Sequence, residues 1–289
     1  MAHIAFLGTG LLGAAFAEAA AKRGDVVTAW NRSSDKVAGL AQFGVKAAAT
    51  PADAVRGATR VHLVLRDDAV VDAVIAAARP GLAADTILLD HSTTLPALTA
   101  ARATRLKTLG LQYLHCPVFM GPAAARSAQG TMMVAGPKAL YEAVAADLAK
   151  MTTRLQYMGE RSDIAAANKL LGNAMIIGLS AVIADVLTLA QAGDIDGPDA
   201  IKLLGLLDLN AMVGGRGLNM ANGDFTASFE LAMARKDVGL MLEAAQTRPL
   251  ATLPAIAARM DQLIAAGHGV KDACVLGIDA VPRVPYTYR

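Results

Sequence analysis

The sequence predicts an α/β domain with a parallel sheet, followed by an all-helical domain. Its 289 residues exceed the usual size of one domain and can bury a substantial core. From residue 3 to about 157, short β-branched runs alternate with alanine-rich helical stretches, which is typical of βαβ units. The alternation stops after Gly159, so we predict domains over residues 1–160 and 161–289.

Individual elements follow from the same patterns. The clearest strands are each followed by a longer helical stretch: IAFLG, VVTAW, RVHLVL, TILLD and LQYLH. Helices of the second domain are expected over 164–193, 197–206, 208–221, 229–245 and 252–266. The tail VPRVPYTYR is punctuated by prolines and is expected to be irregular.

Composition and charge remove several classes of function. Twenty-seven basic and 25 acidic side chains give a net charge of +2, and no basic run stands out, so nucleic acid is not an expected partner. Cys116 and Cys274 make no metal-ligand spacing with the five histidines. We expect two buried thiols rather than a metal site.

The apolar segments raise the question of a membrane. The start MAHIAFLGTG runs straight into a strand without the regions of a signal peptide, so a cytoplasmic protein is expected. The segment 174–192 is long enough to span a membrane, but Asp185 lies within it and Asn173 precedes it. A buried core helix, without membrane contact, is therefore predicted.

The motif GTGLLG follows the first predicted strand and opens a helix. Gly8, Gly10 and Gly13 have the spacing of a dinucleotide-binding turn, in which they permit a tight turn, close approach of a pyrophosphate, and close helix–strand packing. The N–H groups of Leu11 and Leu12 begin the helix that would face the phosphates. The motif in this context predicts a Rossmann domain; a glycine turn without a ligand is the alternative.

The end of the second strand reads TAWNRSSDK. An NAD-preferring site carries Asp or Glu there, whereas this sequence has Asn31, Arg32 and Ser33. A guanidinium and a hydroxyl suit a 2′-phosphate, so NADP(H) is the predicted cofactor and NAD is the alternative. Arg32 as a solvated loop cation would leave the preference open.

Two later loops lie at carboxyl ends of predicted strands, where a cofactor should pass. One contains Leu65 and Arg66, and the other contains Ser92 and Thr93. The hydroxyls of the second loop are candidates to hold the nicotinamide amide or the substrate. Capping of the following helix is an equal alternative.

Lys169 and Asn173 are four residues apart, so on a helix they project from the same face. A lysine among so many apolar positions faces a desolvation cost that lowers its pKa. Such a group suits carbonyl reduction, because the alkoxide formed by hydride arrival must be protonated. A lysine that snorkels from a helix start is the competing interpretation.

Seven motifs, in this order along the chain, resemble the β-hydroxyacid dehydrogenase family, which includes 3-hydroxyisobutyrate dehydrogenase and semialdehyde or glyoxylate reductases: GTGLLG, WNRSSDK, DHST, CPV, GTMMVAG, NKLLGN and ARKDVGL. The resemblance covers nearly the whole chain. It implies an N-terminal Rossmann domain, an all-helical C-terminal domain, and an active site in the cleft between them.

The resemblance also implies roles for four residues. Lys169 matches the catalytic lysine, Asn173 the residue that orients substrate and lysine, and Ser92 the serine near nicotinamide and substrate. Lys236 matches a lysine that reaches toward the cofactor. An exposed helix cation paired with a nearby acid is the alternative for Lys236.

The substrate loop departs from the family. Where relatives read P-V-S-G-G, this chain reads PVFMGPAAARSAQGT, with Phe119 and Met120 in place of the serine and the first glycine. Phe119, Met120 and Gly121 are candidates to line an apolar pocket, or Arg126 is a candidate to contact an anion. The third alternative is that Phe119 and Met120 pack into the core and Arg126 is solvated.

Together these features predict an NADP-preferring oxidoreductase that acts on a small carbonyl or hydroxy-acid substrate, with Lys169 as proton donor and acceptor. Reduction of imines is an alternative, although proteins that perform it typically lack a lysine at this helix position. A cofactor-binding module without turnover is another. The family and the apolar helices also predict a homodimer or homotetramer.

Overall fold

A computed structural model describes residues 2–281 of the chain. It contains nine strands: β1 (His3–Leu7), β2 (Val26–Trp30), β3 (Lys46–Ala47), β4 (Arg60–Leu63), β5 (Ile87–Asp90), β6 (Gln112–His115), β7 (Val118–Phe119), β8 (Thr131–Ala135) and β9 (Arg154–Gly159). The α-helices of the first part are α1 (Leu11–Lys22), α2 (Asp35–Ala38), α3 (Pro51–Val55), α4 (Asp68–Ala78), α5 (Pro96–Thr108), α6 (Pro122–Arg126) and α7 (Lys138–Leu148). The remaining helices are α8 (Ile164–Ala192), α9 (Gly197–Leu204), α10 (Leu209–Asn222), α11 (Leu231–Ala245) and α12 (Leu253–Leu263).

The strands form one sheet in the order β3-β2-β1-β4-β5-β6-β8-β7, with β9 paired to β8. All pairs from β3 to β6 are parallel, as predicted, because each crossover carries a helix or a long connection. β8 runs antiparallel to β6 and β7, which the sequence analysis did not anticipate. The connection from β7 to β8, residues 120–130, contains only the short α6 and returns the chain beside the strand it left.

Alternating side chains of the sheet fill two apolar layers. Phe6, Leu89 and Leu114 point to one layer, whereas Leu7 and Leu88 point to the other. The period of two along each strand therefore buries both faces of the sheet, as expected of a parallel sheet covered by helices.

The chain divides into two compact units, one extending through Asn173 and the other starting at Ala174. The second unit is helical, and its core packs Leu231 and Val238 of α11 against Met260 and Leu263 of α12. The fold class is confirmed. The predicted domain limits at residues 160 and 161 stay a prediction, and the predicted irregular tail lies outside the described residues from position 282 onward.

Helix α8 differs from its prediction in burial. Of its residues, all of which the structure describes, only Ala165, Ala166, Asp185 and Ala190 are buried, so the predicted buried core helix is wrong for the single chain. An 18-residue window of α8 has a mean hydropathy of 2.0, so by length and composition alone the helix is able to span a membrane. Pattern alone did not distinguish a helix covered by its own chain from one that leaves apolar side chains on the surface.

Buried Asp185 explains how α8 is tied to α12. Its carboxylate accepts hydrogen bonds from the N–H groups of Ala251, Thr252 and Leu253 and from the Thr252 hydroxyl. These are the unpaired donors at the start of α12, so a side chain from another helix takes the place of a local cap.

Candidate active site

The turn between β1 and α1 requires glycine at two positions. Gly8 has φ +99°, and a Cβ there would lie 2.3 Å from the Val64 carbonyl oxygen. A Cβ on Gly13 would lie 2.0 Å from the carbonyl oxygen of Gly8. Both contacts are far below van der Waals distance with backbone, so the turn closes only without these side chains.

Gly10 has a different environment. It caps α1, and a Cβ there would meet nothing within 4 Å. The open space lies beside the first N–H groups of α1, which have no partners within the helix. Such a helix start is suited to bind phosphate oxygens.

These glycines form part of a cleft of about 770 Å³ at the carboxyl ends of the parallel strands. The sheet order diverges here, because β2 and β4 lie on opposite sides of β1, and such a switch point is where open α/β sheets bind ligands. The lining includes twelve of the residues proposed from the sequence: Gly8, Gly10, Leu11, Leu12, Gly13, Asn31, Arg32, Ser33, Leu65, Arg66, Ser92 and Thr93.

The charged side chains in the described wall of the cleft are all cations. Arg32, Lys36 and Arg66 contribute to its wall, and no Asp or Glu does so among the residues the structure describes. The residues thus fit a dinucleotide: the glycine turn leaves room for a pyrophosphate, and cations stand near the end of β2. Lys36 was not singled out in the sequence, although it lies only four residues after Arg32, in α2.

Asn31 has a role within the protein. Its side-chain oxygen accepts a hydrogen bond from the Thr9 N–H at 3.1 Å, and its amide donates to the Ser33 carbonyl at 3.1 Å. Asn31 therefore joins the glycine turn to the loop after β2, and it sets the distance between the two parts of the cleft.

Ser92 joins two other loops. Its N–H donates to Asp90 at 2.9 Å, and its hydroxyl oxygen accepts from the Leu65 N–H at 3.0 Å. The alternative that Ser92 caps the following helix is wrong, since α5 begins after Leu95, whose N–H is bound by Asp68. The Ser92 hydroxyl keeps its own proton for donation.

Sequence analysis missed a buried polar network beneath Ser92. Asp90, fully buried, accepts a hydrogen bond from the Tyr113 hydroxyl at 2.8 Å, and Arg102 lies 3.8 Å away. Burial raises the pKa of Tyr113 well above its ordinary value, so the phenol remains a donor. The polar ends of two apolar strands, TILLD and LQYLH, were the available signal.

Sequence analysis also missed a pair of buried histidines, His62 and His91, beside the cleft. His91 Nδ1 and the Cys116 carbonyl oxygen are 2.8 Å apart, and His91 Nε2 and His62 Nδ1 are 2.9 Å apart. Since a carbonyl only accepts, His91 donates through Nδ1 and accepts through Nε2 from His62. Burial lowers the pKa of both imidazoles, so this pair is neutral at pH 7.

Lys169 lies on α8 and is partly buried. Burial lowers the pKa of its ammonium group, in the direction expected from the sequence. Its Nζ lies 4.1 Å from the centre of the Phe119 ring. Asn173, one turn further along α8, is also partly buried, and neither side chain belongs to the wall of the 770 Å³ cleft.

The structure narrows the alternatives for the substrate loop. Phe119 packs against Met133, Ala135 and Ala165, whereas Met120 packs against the larger core layer. Both positions match the core-packing alternative. Gly121 precedes α6 as its N-cap.

Arg126 forms an ion pair within the protein, which neither of the two alternatives for its side chain included. Its Nε binds Glu18 of α1 at 2.7 Å, and Glu18 also binds Lys22. Hydrogen bonds from Lys22 and Arg126 lower the pKa of Glu18. This ion pair competes with the predicted anion contact of Arg126.

Lys236 lies on α11 in the second unit. Its side chain is exposed and its Nζ is 2.9 Å from Asp237, which matches the alternative of an exposed cation paired with a nearby acid.

Both cysteines, Cys116 and Cys274, are buried, as predicted.

Comparison with known proteins decides the family. The pattern described as the NAD binding domain of 6-phosphogluconate dehydrogenase matches residues 3–159, more than half of the chain. Glyoxylate/succinic semialdehyde reductase 2 of Arabidopsis thaliana is 28% identical over 93% of this chain and 76% of its own. The 3-sulfolactaldehyde reductase of Escherichia coli is 26% identical over 94% and 93%. The chain belongs to the β-hydroxyacid dehydrogenase family.

Solved structures with the same fold include enzymes in complex with a nicotinamide cofactor. A reductive aminase from Aspergillus terreus in complex with NADPH and ethyl levulinate has a TM-score of 0.84 and 25% identity, and the match covers 97% of this chain and 99% of that one. The protein is thus an NAD(P)-dependent oxidoreductase that acts on CH–OH or C=O groups.

Proposed function

We propose that the protein is an NADP-preferring reductase of a small carbonyl compound, and a dehydrogenase of the matching alcohol in reverse. The observation that carries this proposal is the partly buried Lys169, with its lowered pKa, in the same compact unit as the dinucleotide cleft. A bound nicotinamide supplies or accepts the hydride. The protein supplies position, charge and the proton.

The cofactor would be held by parts of the cleft with different chemistry. The first N–H groups of α1, beside Gly10, would bind the pyrophosphate. Arg32, Ser33 and Lys36 stand where the adenosine ribose lies in this fold, and their donors suit a 2′-phosphate. The lack of a carboxylate in the described wall supports NADP over NAD, because no negative charge repels the phosphate.

Lys169 is proposed to move one proton. During reduction, the carbonyl carbon gains a hydride, and the oxygen takes a proton from Nζ, which leaves a neutral amine. During oxidation Nζ takes the hydroxyl proton back. A lowered pKa brings the proton affinity of Nζ closer to the working pH, so that both transfers are accessible. Asn173, on the same face of α8, orients the substrate oxygen.

Reduction of imines is the second candidate. It is favoured by the similarity to the Aspergillus terreus reductive aminase over nearly all of the chain. Lys169 argues for C=O, because an alkoxide needs a proton from a donor, whereas an iminium substrate already carries a positive charge that an ammonium group would repel.

We also propose a homodimer or homotetramer. Helix α8 exposes apolar side chains, Leu171, Met175, Ile176 and Ile177 among them, each more than half exposed. Burial of such a surface against a second copy is favourable. Asp185 within α8 argues against a membrane, because its carboxylate already caps α12. Light scattering after size exclusion tests this proposal, and a monomer would contradict it.

The enzymatic proposal is tested by NADPH and NADH oxidation against a carbonyl panel, with Lys169→Ala in parallel. The panel contains semialdehydes bearing carboxylate or sulfonate, neutral aldehydes and ketones, and a cyclic imine. We expect turnover of a carbonyl compound with NADPH, and its loss in the variant. Undiminished activity of the variant would exclude Lys169 as the proton donor, and turnover of the imine alone would favour the second candidate.

A further inference from the structure

The ring of Phe119 lies in a notch on α8. A Cβ at Gly172 would lie 2.2 Å from Phe119 Cζ and 2.7 Å from Cε1. No side chain other than hydrogen fits there while the ring keeps this place. Gly172 therefore lets the aromatic ring contact the helix backbone directly.

The backbone that carries the ring is also held. Phe119 pairs with Thr131 in the antiparallel ladder of β7 and β8. Gly130, with φ +102°, passes so close that a Cβ there would lie 2.7 Å from the Phe119 carbonyl oxygen. The backbone of Phe119 is thus held beside a glycine with positive φ, and its ring occupies space that is open only because residue 172 is glycine.

Lys169 precedes Gly172 by three residues, so it lies on the same side of α8. Its Nζ stands 4.1 Å from the ring centre, within the range of a cation–π contact. The ring face carries partial negative charge and attracts the ammonium group, whereas burial disfavours it. The two effects act on the same proton in opposite directions.

A ring differs from the other partners that a lysine can have. A carboxylate would bind the ammonium protons and raise the pKa further, and a hydroxyl would accept one of the N–H bonds. An aromatic face holds the charge without taking a proton. The N–H donors of Nζ that do not face the ring then remain available to a substrate oxygen.

We propose that Phe119 is a positioning residue for Lys169, and not a wall of the substrate pocket. The ring fixes the location of Nζ and keeps a larger fraction of Lys169 protonated than burial alone would allow. This inference rests on the proposed function insofar as Lys169 is the proton donor. Phe119, which stands where relatives have a serine, would thus contribute to the reaction through Lys169.

The direct test measures the protonation of Lys169 without cofactor or substrate. Full-length protein is labelled with acetic anhydride over a range of pH, and acetylation of the Lys169 peptide is measured by mass spectrometry. In Phe119→Leu the neutral amine is more abundant, so we expect labelling at pH 8 to be about two- to fivefold faster relative to Lys150. Phe119→Tyr keeps the ring and should label like wild type.

A matched control removes a ring from another lysine. Lys22 Nζ lies 4.7 Å from the Phe43 ring, and Phe43→Leu should leave the labelling of Lys169 unchanged. Gly172→Ala displaces the ring from the helix side, and it should change Lys169 in the same direction as Phe119→Leu. Equal labelling profiles of wild type, Phe119→Leu and Gly172→Ala, with circular dichroism showing all three folded, would overturn the inference.

A second measurement separates this inference from the proposed function. In Phe119→Leu, the alkaline limb of kcat/KM for carbonyl reduction should move to lower pH, and in Phe119→Tyr it should stay. If the wild type turns over no carbonyl but labelling still responds to Phe119, the proposed function fails while the pairing of ring and lysine is supported. If turnover depends on Lys169 but neither labelling nor pH profile responds, this inference alone fails.

Discussion

At the scale of single residues, the proposed reaction depends on the charge of one atom, Lys169 Nζ. Burial lowers its pKa from the ordinary value of 10.5, and the Phe119 ring opposes that shift. Reduction uses the protonated form, which is lost as pH rises through this pKa. Oxidation uses the neutral form and gains over the same interval. The two directions should therefore have opposite pH dependence above neutrality.

Replacement of Lys169 tests this account. We expect Lys169→Ala to lower kcat for reduction by about 10²- to 10⁴-fold, the usual contribution of a positioned proton donor. The alkaline limb of the pH profile should disappear with it. Affinity for NADPH, measured by fluorescence titration, should change little, because Lys169 lies outside the wall of the cleft. A variant that keeps both rate and alkaline limb would disprove the assignment.

Arg32 is expected to set the cofactor preference. Loss of a charge-assisted hydrogen bond to the 2′-phosphate should raise KM for NADPH by about ten- to a hundredfold in Arg32→Ala, with little effect on NADH. Arg66→Ala is the control, since Arg66 lines the cleft from the loop after β4 and should affect both cofactors alike. Equal effects of Arg32→Ala on NADPH and NADH would refute the role of Arg32.

At the scale of elements, the glycine turn and the long helix each combine a structural and a functional demand. Gly13 is needed for the packing of α1 on β1, whereas Gly10 borders open space. Asp185 on α8 provides the cap for α12. Substitution of Gly13 or Asp185 should therefore lower stability, whereas substitution of Gly10 should affect cofactor binding.

The two glycines should respond differently to alanine. In Gly13→Ala, a Cβ 2.0 Å from a backbone oxygen forces the turn apart, so the melting temperature should fall by several degrees, equivalent to about 1–3 kcal/mol. Gly10→Ala should melt like wild type but bind NADPH at least about tenfold more weakly, because its methyl group enters the space left for phosphate. Calorimetry and cofactor titration measure the two effects. A normal affinity in folded Gly10→Ala would contradict the placement of the phosphate.

Asp185 is expected to stabilise the second unit in a pH-dependent manner. Burial alone would raise the pKa of Asp185, but hydrogen bonds from Thr252, Leu253 and Ala251 outweigh it and lower the pKa to about 2. Its contribution is therefore complete above about pH 4 and is lost as pH falls through 2.

Asp185→Asn places an amide donor against N–H donors, so the free energy of unfolding should fall by about 1–3 kcal/mol at pH 7. Asp208→Asn changes an exposed cap on α10 and is the matched control, with a smaller cost. Urea denaturation measures both. Equal costs for the two variants would show that the buried cap adds nothing.

At the scale of the whole molecule, the sequence predicted the parts that depend on local pattern. The five central strands and the five later helices follow from their hydrophobic periods, and GTGLLG places the cleft at β1. Strand β7 was not predicted, because the two-residue strand Val118–Phe119 has no measurable period, whereas β8 and β9 are long enough to show one and were missed. The link from Asp90 through Ser92 to Leu65 was also hidden, since it depends on two loops that meet only in the folded sheet.

The burial of α8 shows the limit of the same reasoning. Hydropathy measures what a helix would gain from being covered, but it does not say which surface covers it. We propose that a second copy of the chain covers the exposed apolar side chains of α8.

The cytoplasmic location, predicted from the N-terminal residues, stays a prediction.

Transfer of deuterium tests the central claim most directly. NADPH deuterated at C4, prepared separately with each of the two stereochemistries, is supplied with the best carbonyl substrate, and the product is analysed by mass spectrometry. We predict that one stereoisomer transfers a single deuterium to the former carbonyl carbon, and that Lys169→Ala slows this transfer. Binding of NADPH with no label in any product would contradict the account of the protein as a lysine-dependent reductase.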